Sequence, residues 1–258
     1  MTNHESETKM TIDVIRDQLK KLHLPAASLE LENILQKRKK VTDVQWLSEL
    51  LTAELDARSE NAVERRMKRA DFPERRSFEQ FNWDFNPALP REKIEELRSL
   101  KFIEQNEIAL FLGNPGTGKT HCAIALGMGA VQAGHSVFCT SVKRLGTKIR
   151  KAREKNTLDL LFKQILTAKL WILDDWGVVS MPRDVSEEIF DLFDRRKHSS
   201  AMILTSNRDV DEWPQVFPDP VLASAAIDRM FENANICIFE GPSHRMKGRI
   251  LFKEIDKE

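Results

Sequence analysis

The segment GNPGTGKT, residues 113–120, is the part of the sequence that most restricts the fold. It matches the pattern G-x-x-x-x-G-K-[ST], with the apolar run IALFL directly before it and a helical pattern directly after it. Glycines allow backbone N–H groups to turn inward around a polyphosphate, and the start of a helix adds positive dipole. The segment therefore predicts a strand, a phosphate-binding loop and a helix. A flexible glycine-rich turn is the alternative that this context disfavours.

Two side chains at the end of this loop are expected to hold ATP and a Mg²⁺ ion. Lys119 reaches the β- and γ-phosphates in this motif, and the Thr120 hydroxyl coordinates the metal. His121 adjoins the nucleotide at the start of the helix, although its side chain and that of Cys122 are more typical of helix packing. The residues expected to contact ATP are Gly113, Asn114, Pro115, Gly116, Thr117, Gly118, Lys119, Thr120 and His121.

A second motif, LWILDDWG, has four apolar residues followed by two aspartates, which is a Walker B pattern. Asp174 is expected to hold Mg²⁺ through water, together with Thr120, and Asp175 is expected to orient and polarise the attacking water. A polar strand end that caps the next turn is the alternative. A third strand, AMILTSNR, ends at Asn207, whose amide could touch both the lytic water and the γ-phosphate.

Short apolar strands alternate with helical segments in the second part of the chain, in the order IALFLG, SVFCTS, LWILDD, AMILTSN and ICIFEG. Such alternation predicts a parallel α/β sheet. Because Leu170–Leu173 are apolar on successive residues, helices must cover both faces of the sheet. The expected fold is an α/β three-layer sandwich with a parallel five-stranded sheet, and its ligand is expected at the carboxyl ends of the strands.

The first part of the chain has only helical patterns and predicts a small all-helical domain over residues 1–70. Apolar residues recur at helical spacing before a proline at position 25, namely Ile12, Ile15, Leu19 and Leu22. We expect this domain to bind DNA or a protein partner.

A later helix of this domain starts with Thr42 and Gln45 in capping-box spacing. The leucines expected to form its buried stripe are Leu47, Leu50 and Leu51. Residues 71–90 are rich in Phe, Trp and Pro without clear periodicity, which predicts a linker that packs on the following domain. The predicted α/β domain, with this linker, covers residues 71–258.

Composition restricts the partners and the compartment. The 258 residues include 40 basic and 40 acidic side chains, so a surface for nucleic acid must be local. The N-terminus lacks a signal peptide, and no apolar run approaches the roughly 20 residues of a membrane helix, so we expect a cytoplasmic protein with no membrane contact. Cys122, Cys139 and Cys237 are expected as reduced core residues. The sequence has no NKxD motif, which argues against a GTPase.

The stretch SVKRLGTKIRKAREK has seven basic residues and one acidic residue. These charges alone favour a solvated helix face and a phosphate-binding surface about equally. Neither this stretch nor a smaller basic cluster has the aromatic residues that stack on single strands, so a grip on the duplex backbone without base reading is the expected mode. The candidate DNA contacts are Lys143, Arg144, Lys148, Arg150 and Lys151, with Arg65, Arg66 and Arg69 in the smaller cluster.

Four segments together resemble the AAA+ ATPases of the DnaC and IstB group: GNPGTGKTHCAIALG, LWILDDWG, ILTSNR and AIDRMFENANICIFEGPSHR. The chain is more similar to IstB, the transposition helper ATPase of bacterial insertion sequences, over nearly its whole length. The resemblance implies an ATP-dependent homo-oligomer that binds and remodels duplex target DNA and recruits or stimulates a transposase. It also implies that the basic stretch lines the path of the DNA.

The same resemblance gives roles to two arginines. Arg229 has the position of the arginine finger, which completes the site of a neighbouring subunit, and Arg245 has that of the sensor-2 arginine. Without the family, an arginine beside an aspartate on a helix is usually a solvated charge. Asp175 stands where most AAA+ members have Glu, which suggests slow turnover. The 18 residues from Gly241 are too few for a full lid domain, so a reduced lid of one short helix is expected.

Three functions stay open on this sequence. The first is a transposition helper that assembles on duplex DNA with ATP. The second is a DnaC-like replicative helicase loader, whose helical front docks on a helicase and whose ATPase prefers single strands. The third is a metabolic P-loop phosphotransferase, which needs no DNA. Binding to duplex and single-stranded DNA, with and without ATP, separates them.

Overall fold

The fold is that of a computed structural model, in which residues 3–36, 45–196 and 199–246 are described. The chain divides into two compact units, Met1–Arg65 and Arg66–Glu258. The point of division lies within a long helix, a few residues before the domain boundary expected at residue 70. That boundary stays a prediction.

The first unit is helical, with α1 (Asn3–Lys21), α2 (Pro25–Gln36) and the first part of α3 (Gln45–Ala70). After α1, His23 has a left-handed backbone (φ 57°) and the N–H of Leu24 donates to the carbonyl of Leu19 at 2.9 Å, which is a common way to end a helix. Leu22, the last of the apolar residues at helical spacing, lies beyond this end and is exposed. Pro25 is the first residue of α2, a position whose backbone N–H would have no partner within the helix, so the missing N–H of proline costs no hydrogen bond.

The buried face of α3 differs from the predicted one. Leu50 is buried as expected, but Leu47 and Leu51 are exposed, so the predicted leucine stripe is wrong at two of its three positions. The inward face instead carries Trp46, Leu50 and Glu54, which are four residues apart. Because Glu54 is buried on this face, the face is not uniformly apolar. The spacing of apolar residues alone therefore selects Leu47 and Leu51 instead.

The aromatic linker, residues 71–90, includes two short 3₁₀ helices, Phe78–Gln80 and Trp83–Phe85. Near its end, Asn86 Nδ2 donates a 2.5 Å hydrogen bond to the carbonyl oxygen of Glu240, which follows the last strand of the sheet. The linker therefore packs along the α/β domain. Helices α4 (Arg91–Arg98) and α5 (Lys101–Glu104) come next.

The α/β domain contains the predicted parallel five-stranded sheet, in the order β2-β3-β4-β1-β5. Its strands are β1 (Ile108–Gly113), β2 (Val137–Ser141), β3 (Leu170–Trp176), β4 (Ala201–Ser206) and β5 (Ala234–Phe239). The helices between them are α6 (Lys119–Gln132), α7 (Val142–Glu154), α8 (Leu158–Leu166), α9 (Arg183–Arg196) and α10 (Pro220–Phe231). Among the described helices, none contains an apolar stretch of membrane-spanning length.

Helices cover both faces of the sheet, which confirms the three-layer prediction. Trp171 and Leu173 point into the core made with α7 to α10, whereas Ile172 meets α6 at Gly127. Since β4 lies between β1 and β3, the end of β4 lies between the loop after β1 and the aspartates of β3. This strand order brings three segments that are distant in sequence to one edge of the sheet.

The three cysteines are free and buried, as predicted. Burial raises the pKa of the Cys139 thiol to about 12 and that of Cys237 to about 11, so both stay protonated at neutral pH. They are packing residues of the sheet and of α6.

Two sequence predictions fall wholly or mostly outside the described residues. The first is the capping box of residues 42–45, whose side chains are not among those described. The second is the lid: of residues 241–258, the structure describes those up to 246, which include a 3₁₀ helix, His244–Met246.

Candidate nucleotide-binding site

The phosphate-binding loop joins β1 to α6 through three glycines with left-handed backbone conformation. Their φ angles are 132° at Gly113, 77° at Gly116 and 108° at Gly118. Gly118 precedes the first turn of α6, and a Cβ atom built there would lie 2.6 Å from the ring of Phe81. A larger residue would be strained and would crowd the start of the helix, where backbone N–H groups can meet a phosphate.

The side chain of Lys119 folds back over this loop. Its Nζ donates to the carbonyl oxygens of Gly113 at 2.7 Å and Asn114 at 2.6 Å. Burial lowers the pKa of this ammonium group to about 8, and the nearby carboxylates of Asp174 and Asp175 oppose the shift. A buried cation at the start of a helix that follows a glycine-rich loop fits a bound polyphosphate.

Two hydroxyl groups meet one carboxylate oxygen beside the loop. Thr120 Oγ1 donates to Asp174 Oδ1 at 2.8 Å, and Thr205 Oγ1 donates to the same oxygen at 2.6 Å. The Thr205 hydroxyl also accepts a 3.1 Å hydrogen bond from the backbone N–H of Asp175. Sequence reasoning missed Thr205, although a hydroxyl residue near the end of β4, two positions before Asn207, was a usable signal.

Asp175 has an unusual backbone. It is a non-glycine residue with φ of 59°, and the β3–β4 register is irregular between Leu173 and Trp176. The irregularity interrupts the pairing of both aspartates with β4, whereas Asp174 still pairs with Ser141 of β2. Partial burial raises the pKa of the Asp175 carboxyl, the charge of Asp174 adds to this, and Arg245 and Lys119 oppose it.

One cleft of about 290 Å³ connects the loop with the other predicted site residues. Its lining includes residues 115–121, Asp175, Asn207 and Arg245. Arg245 is close enough that its charge lowers the pKa of both Lys119 and Asp175. The fold therefore brings three of the four predicted catalytic residues together with the loop, in a cavity near the usual size for small ligands.

The aromatic linker forms the opposite wall of the cleft. The rings of Phe81 and His121 pack edge to face with centroids 5.0 Å apart, and those of Phe85 and His244 do so at 4.8 Å. His121 Nε2 also lies 2.8 Å from the carbonyl oxygen of Ser77. The His121 side chain thus packs on the linker, as its pattern suggested. The aromatic composition of the linker predicts that it packs on the following domain, but the sequence does not indicate which surface of that domain it covers.

Comparison with known sequences defines the family. A family profile described as IstB-like ATP binding protein matches residues 17–251. The chain belongs to this family. A protein of Pseudomonas aeruginosa, named for ATP binding and for insertion sequence IS21, is 36% identical over 92% of this chain and 89% of its own length. The resemblance predicted from the motifs is therefore confirmed.

Solved structures support the fold of this IstB-like protein. The replication initiator DnaA bound to AMPPCP and single-stranded DNA aligns with a TM-score of 0.55 and 21% identity, over 69% of this chain and 54% of that chain. The DnaC helicase loader aligns with a TM-score of 0.51 and 19% identity, over 58% and 87%. At these identities the likeness concerns the AAA+ P-loop fold alone.

Arg229, the predicted arginine finger, is not in the lining of the cleft of its own chain. It lies on α10, where Nε and Nη2 donate to Asp194 Oδ1 of α9 at 3.0 and 2.6 Å. Its guanidinium carbon also lies 4.9 Å from the ring centroid of Phe190. This IstB-like chain thus holds Arg229 at a surface between two helices, and a role toward its own nucleotide has no geometric support.

The basic stretch forms α7, and its charges have partners within the chain. Arg144 and Lys148 pair with Asp71 at 3.3 and 3.0 Å, and Arg150 pairs with Asp184 at 3.7 Å. Lys143 and Lys151 are exposed, and no ion pair of theirs is found within the described ranges. A phosphate backbone at α7 would therefore compete with carboxylates at three of the five predicted positions.

The smaller basic cluster lies toward the end of α3. Arg65 and Arg69 are exposed, and Arg66 is half-buried. No observation tests whether these three arginines contact DNA, so that contact stays a prediction.

Proposed function

We propose that this IstB-like protein hydrolyses ATP with Mg²⁺, assembles on duplex DNA as it binds ATP, and recruits or stimulates a transposase. The observation that carries the proposal is the convergence of the phosphate-binding loop, Asp175, Asn207 and Arg245 at one cleft, with Asp174 bonded to Thr120 of the loop. Relatives named for insertion sequences support the transposition context.

The residues at the cleft fit ATP and a divalent cation. The backbone of residues 113–118 and the start of α6 would bind the phosphates, and Lys119 would move from its two carbonyl partners to the β- and γ-phosphates. Thr120 and, through water, Asp174 would hold Mg²⁺, because a hydroxyl and a carboxylate are hard oxygen ligands. Mg²⁺ bound there would neutralise charge on the β- and γ-phosphates.

The groups proposed to act on the attacking water and on the γ-phosphate lie at the ends of β3 and β4. Asp175, with its raised pKa, can accept a proton from a water held in line with the γ-phosphate, and the Asn207 amide can donate to that phosphate. Arg245 would stabilise charge from within the chain. Arg229 would do so from a neighbouring subunit, because it lies outside its own cleft.

A DnaC-like helicase loader is the alternative in the same fold. Nothing specific in the described residues favours it, since the likeness to the DnaC loader shows the fold alone. Helix α7 itself contains no aromatic residue, and its exposed cations support a grip on duplex phosphates instead.

The deciding experiment measures ATP hydrolysis and DNA retention on a filter, with a duplex, a single strand or no DNA, each with and without ATP. We expect ATP-dependent retention of duplex, preferred over single strands, and slow hydrolysis. Lys119→Ala is the matched control, because it removes the phosphate ligand and leaves α7 intact.

The other outcomes reject parts of the proposal. Preference for single strands would favour the loader, and hydrolysis unaffected by DNA with no retention would favour a metabolic enzyme. The transposase part is tested by adding the transposase of the same insertion sequence. A strand-transfer yield that does not change with ATP and this protein would reject it.

A further inference from the structure

Thr205 contacts both aspartates of the site. It lies on β4 and is 1% exposed, so its hydroxyl has no contact with bulk water. That hydroxyl donates to Asp174 Oδ1 at 2.6 Å and accepts from the N–H of Asp175 at 3.1 Å. One oxygen atom therefore joins the side chain of the first aspartate to the backbone of the second.

This bond is placed where β3 departs from regular pairing. Beyond Leu173 the ladder to β4 is irregular, and Asp175 has a left-handed φ of 59°, which non-glycine residues rarely adopt. A backbone N–H in such a segment has lost its ladder partner and must find another acceptor. The Thr205 hydroxyl is that acceptor, so it helps to hold the conformation that directs the Asp175 carboxyl.

We propose that Thr205 is a positioning residue, which fixes the relative orientation of Asp174, the residue that would hold the cation, and Asp175, the residue that would act on the attacking water. The inference rests on the proposed function of this site. Thr120 of α6 donates to the same Asp174 oxygen at 2.8 Å, so two hydroxyls from different elements restrict the rotation of that carboxylate. Partners of this kind around metal ligands commonly contribute 10- to 100-fold in affinity or activity.

The chain contains a matched control for this position. Thr140 is also 1% exposed and lies on β2, the strand on the other side of β3. Its hydroxyl donates to the carbonyl oxygen of Ser141 at 3.3 Å and to neither aspartate. Thr140→Val therefore reports the cost of removing a buried hydroxyl beside β3, without changing the carboxylates.

The experiment compares Thr205→Val, Thr205→Ser and Thr140→Val with the parent protein. A fluorescent ATP analogue is titrated with Mg²⁺ and again with EDTA, and ATP turnover is measured over a range of Mg²⁺ concentrations. For Thr205→Val we expect about a tenfold higher Mg²⁺ requirement and about 10- to 100-fold lower kcat, with analogue affinity in EDTA unchanged. The Mg²⁺ requirement and kcat of Thr205→Ser should lie within about threefold of the parent values, and those of Thr140→Val should equal the parent values.

A Mg²⁺ requirement and kcat of Thr205→Val equal to those of Thr140→Val would overturn the inference, as would an equal loss in Thr205→Ser. If Thr205→Val does not fold, Thr205→Ala gives the same comparison without the added methyl group. A parent protein with no ATP turnover would reject the proposed function, but the Mg²⁺ dependence of analogue binding would still test Thr205.

Discussion

The ammonium group of Lys119 shows how one buried charge sets the pH range of the site. Burial lowers its pKa to about 8, because the charged form has lost much of its water. Two carbonyl oxygens accept its hydrogen bonds, but they carry no full charge. A nucleotide phosphate would supply that charge, so binding and protonation of Lys119 are coupled.

The affinity for ATP should fall as the pH rises above about 8, where Lys119 loses its proton in the free protein. The loss should reach up to about tenfold per pH unit, because the complex must then take up a proton. Titration of a fluorescent ATP analogue between pH 7 and 9 measures it. Lys119→Ala should bind weakly with no such pH slope, and an equal slope in both proteins would contradict this reading of Lys119.

Asp175 should separate binding from hydrolysis. Asp175→Asn keeps Lys119, Thr120 and Asp174, so nucleotide affinity should stay within about threefold of the parent. Hydrolysis should fall by a factor on the order of 10² to 10⁴, because the amide cannot accept the proton of the attacking water. Single-turnover ATP hydrolysis measures the loss, and dissociation from duplex DNA should slow in parallel. Turnover at the parent rate would show that Asp175 is not the base.

Strands, the loop and most helices are predictable from the sequence because their signals are local. The apolar run before Gly113 and the motif after it lie within a few residues of each other, and the structure has both. Long-range contacts are not predictable in this way. The burial of Glu54 depends on α2, and the role of Thr205 depends on an irregular strand pairing. Arg144 and Lys148 of α7 pair with Asp71, which is more than 70 residues away in the sequence.

Glu54 ties two helices of the first unit together. Its carboxylate accepts a 3.0 Å hydrogen bond from the N–H of Ala27 in the first turn of α2 and another from Arg58 at 2.8 Å. Burial raises the pKa of Glu54, but these bonds outweigh it and the net pKa is lowered. The stabilisation is therefore present above the ordinary pKa of a glutamate and is lost as the pH falls through the lowered value.

Glu54→Gln should lower the free energy of unfolding of this unit by about 1–2 kcal/mol at pH 7, because hydrogen bonds to a charged carboxylate are replaced by weaker ones. Urea unfolding followed by circular dichroism measures the change. Glu60→Gln, at an exposed position of the same helix, is the control. The difference between the two variants should shrink at low pH, and a difference that does not depend on pH would contradict the role of the charge.

The predicted contact of α7 with DNA can be tested by how the affinity for duplex DNA depends on the salt concentration. Each lost phosphate contact should flatten the slope of log affinity against log salt by about 0.9, so replacing Lys148, Arg150 and Lys151 by Ala should flatten it by up to about 2.7. The weakening should be similar for two unrelated duplexes, because these side chains match no base-reading motif. Asp71→Asn should strengthen binding, since it releases Lys148 and keeps the left-handed backbone that asparagine tolerates.

An unchanged slope in the triple variant, with Asp71→Asn equal to the parent, would place the DNA path elsewhere, and Arg65, Arg66 and Arg69 would be tested next. A loss confined to one duplex would mean that α7 reads bases. Binding of the ATP analogue by each variant is the control for folding, because the phosphate-binding loop lies after a different strand.

The homo-oligomer that we propose rests on the position of Arg229 outside the cleft of its own chain. The loop, Asp175, Asn207 and Arg245 line one cleft of the chain and Asp174 is bonded to Thr120, whereas Arg229 is held on α10 by Asp194. An arginine supplied by a neighbour completes the site only when subunits associate head to tail. Nucleotide binding and assembly would then favour each other, because each ligand contact made across the interface stabilises both.

A mixing experiment tests this arrangement. Arg229→Ala lacks the finger and Asp175→Asn lacks the base, so each protein should be nearly inactive alone, with loss of a finger reducing turnover on the order of a thousandfold or more. When they are mixed in equal amounts, roughly a quarter of the interfaces pair an intact site with an intact finger, and ATP turnover should recover in proportion. The control replaces the second protein by one that carries both Asp175→Asn and Arg229→Ala, which can co-assemble but offers no finger. Recovery only with the single Asp175→Asn protein would mean that Arg229 acts on a neighbour's nucleotide. No recovery in mixed oligomers shown by size and label to contain both chains would leave Arg229 as a structural partner of Asp194 and Phe190.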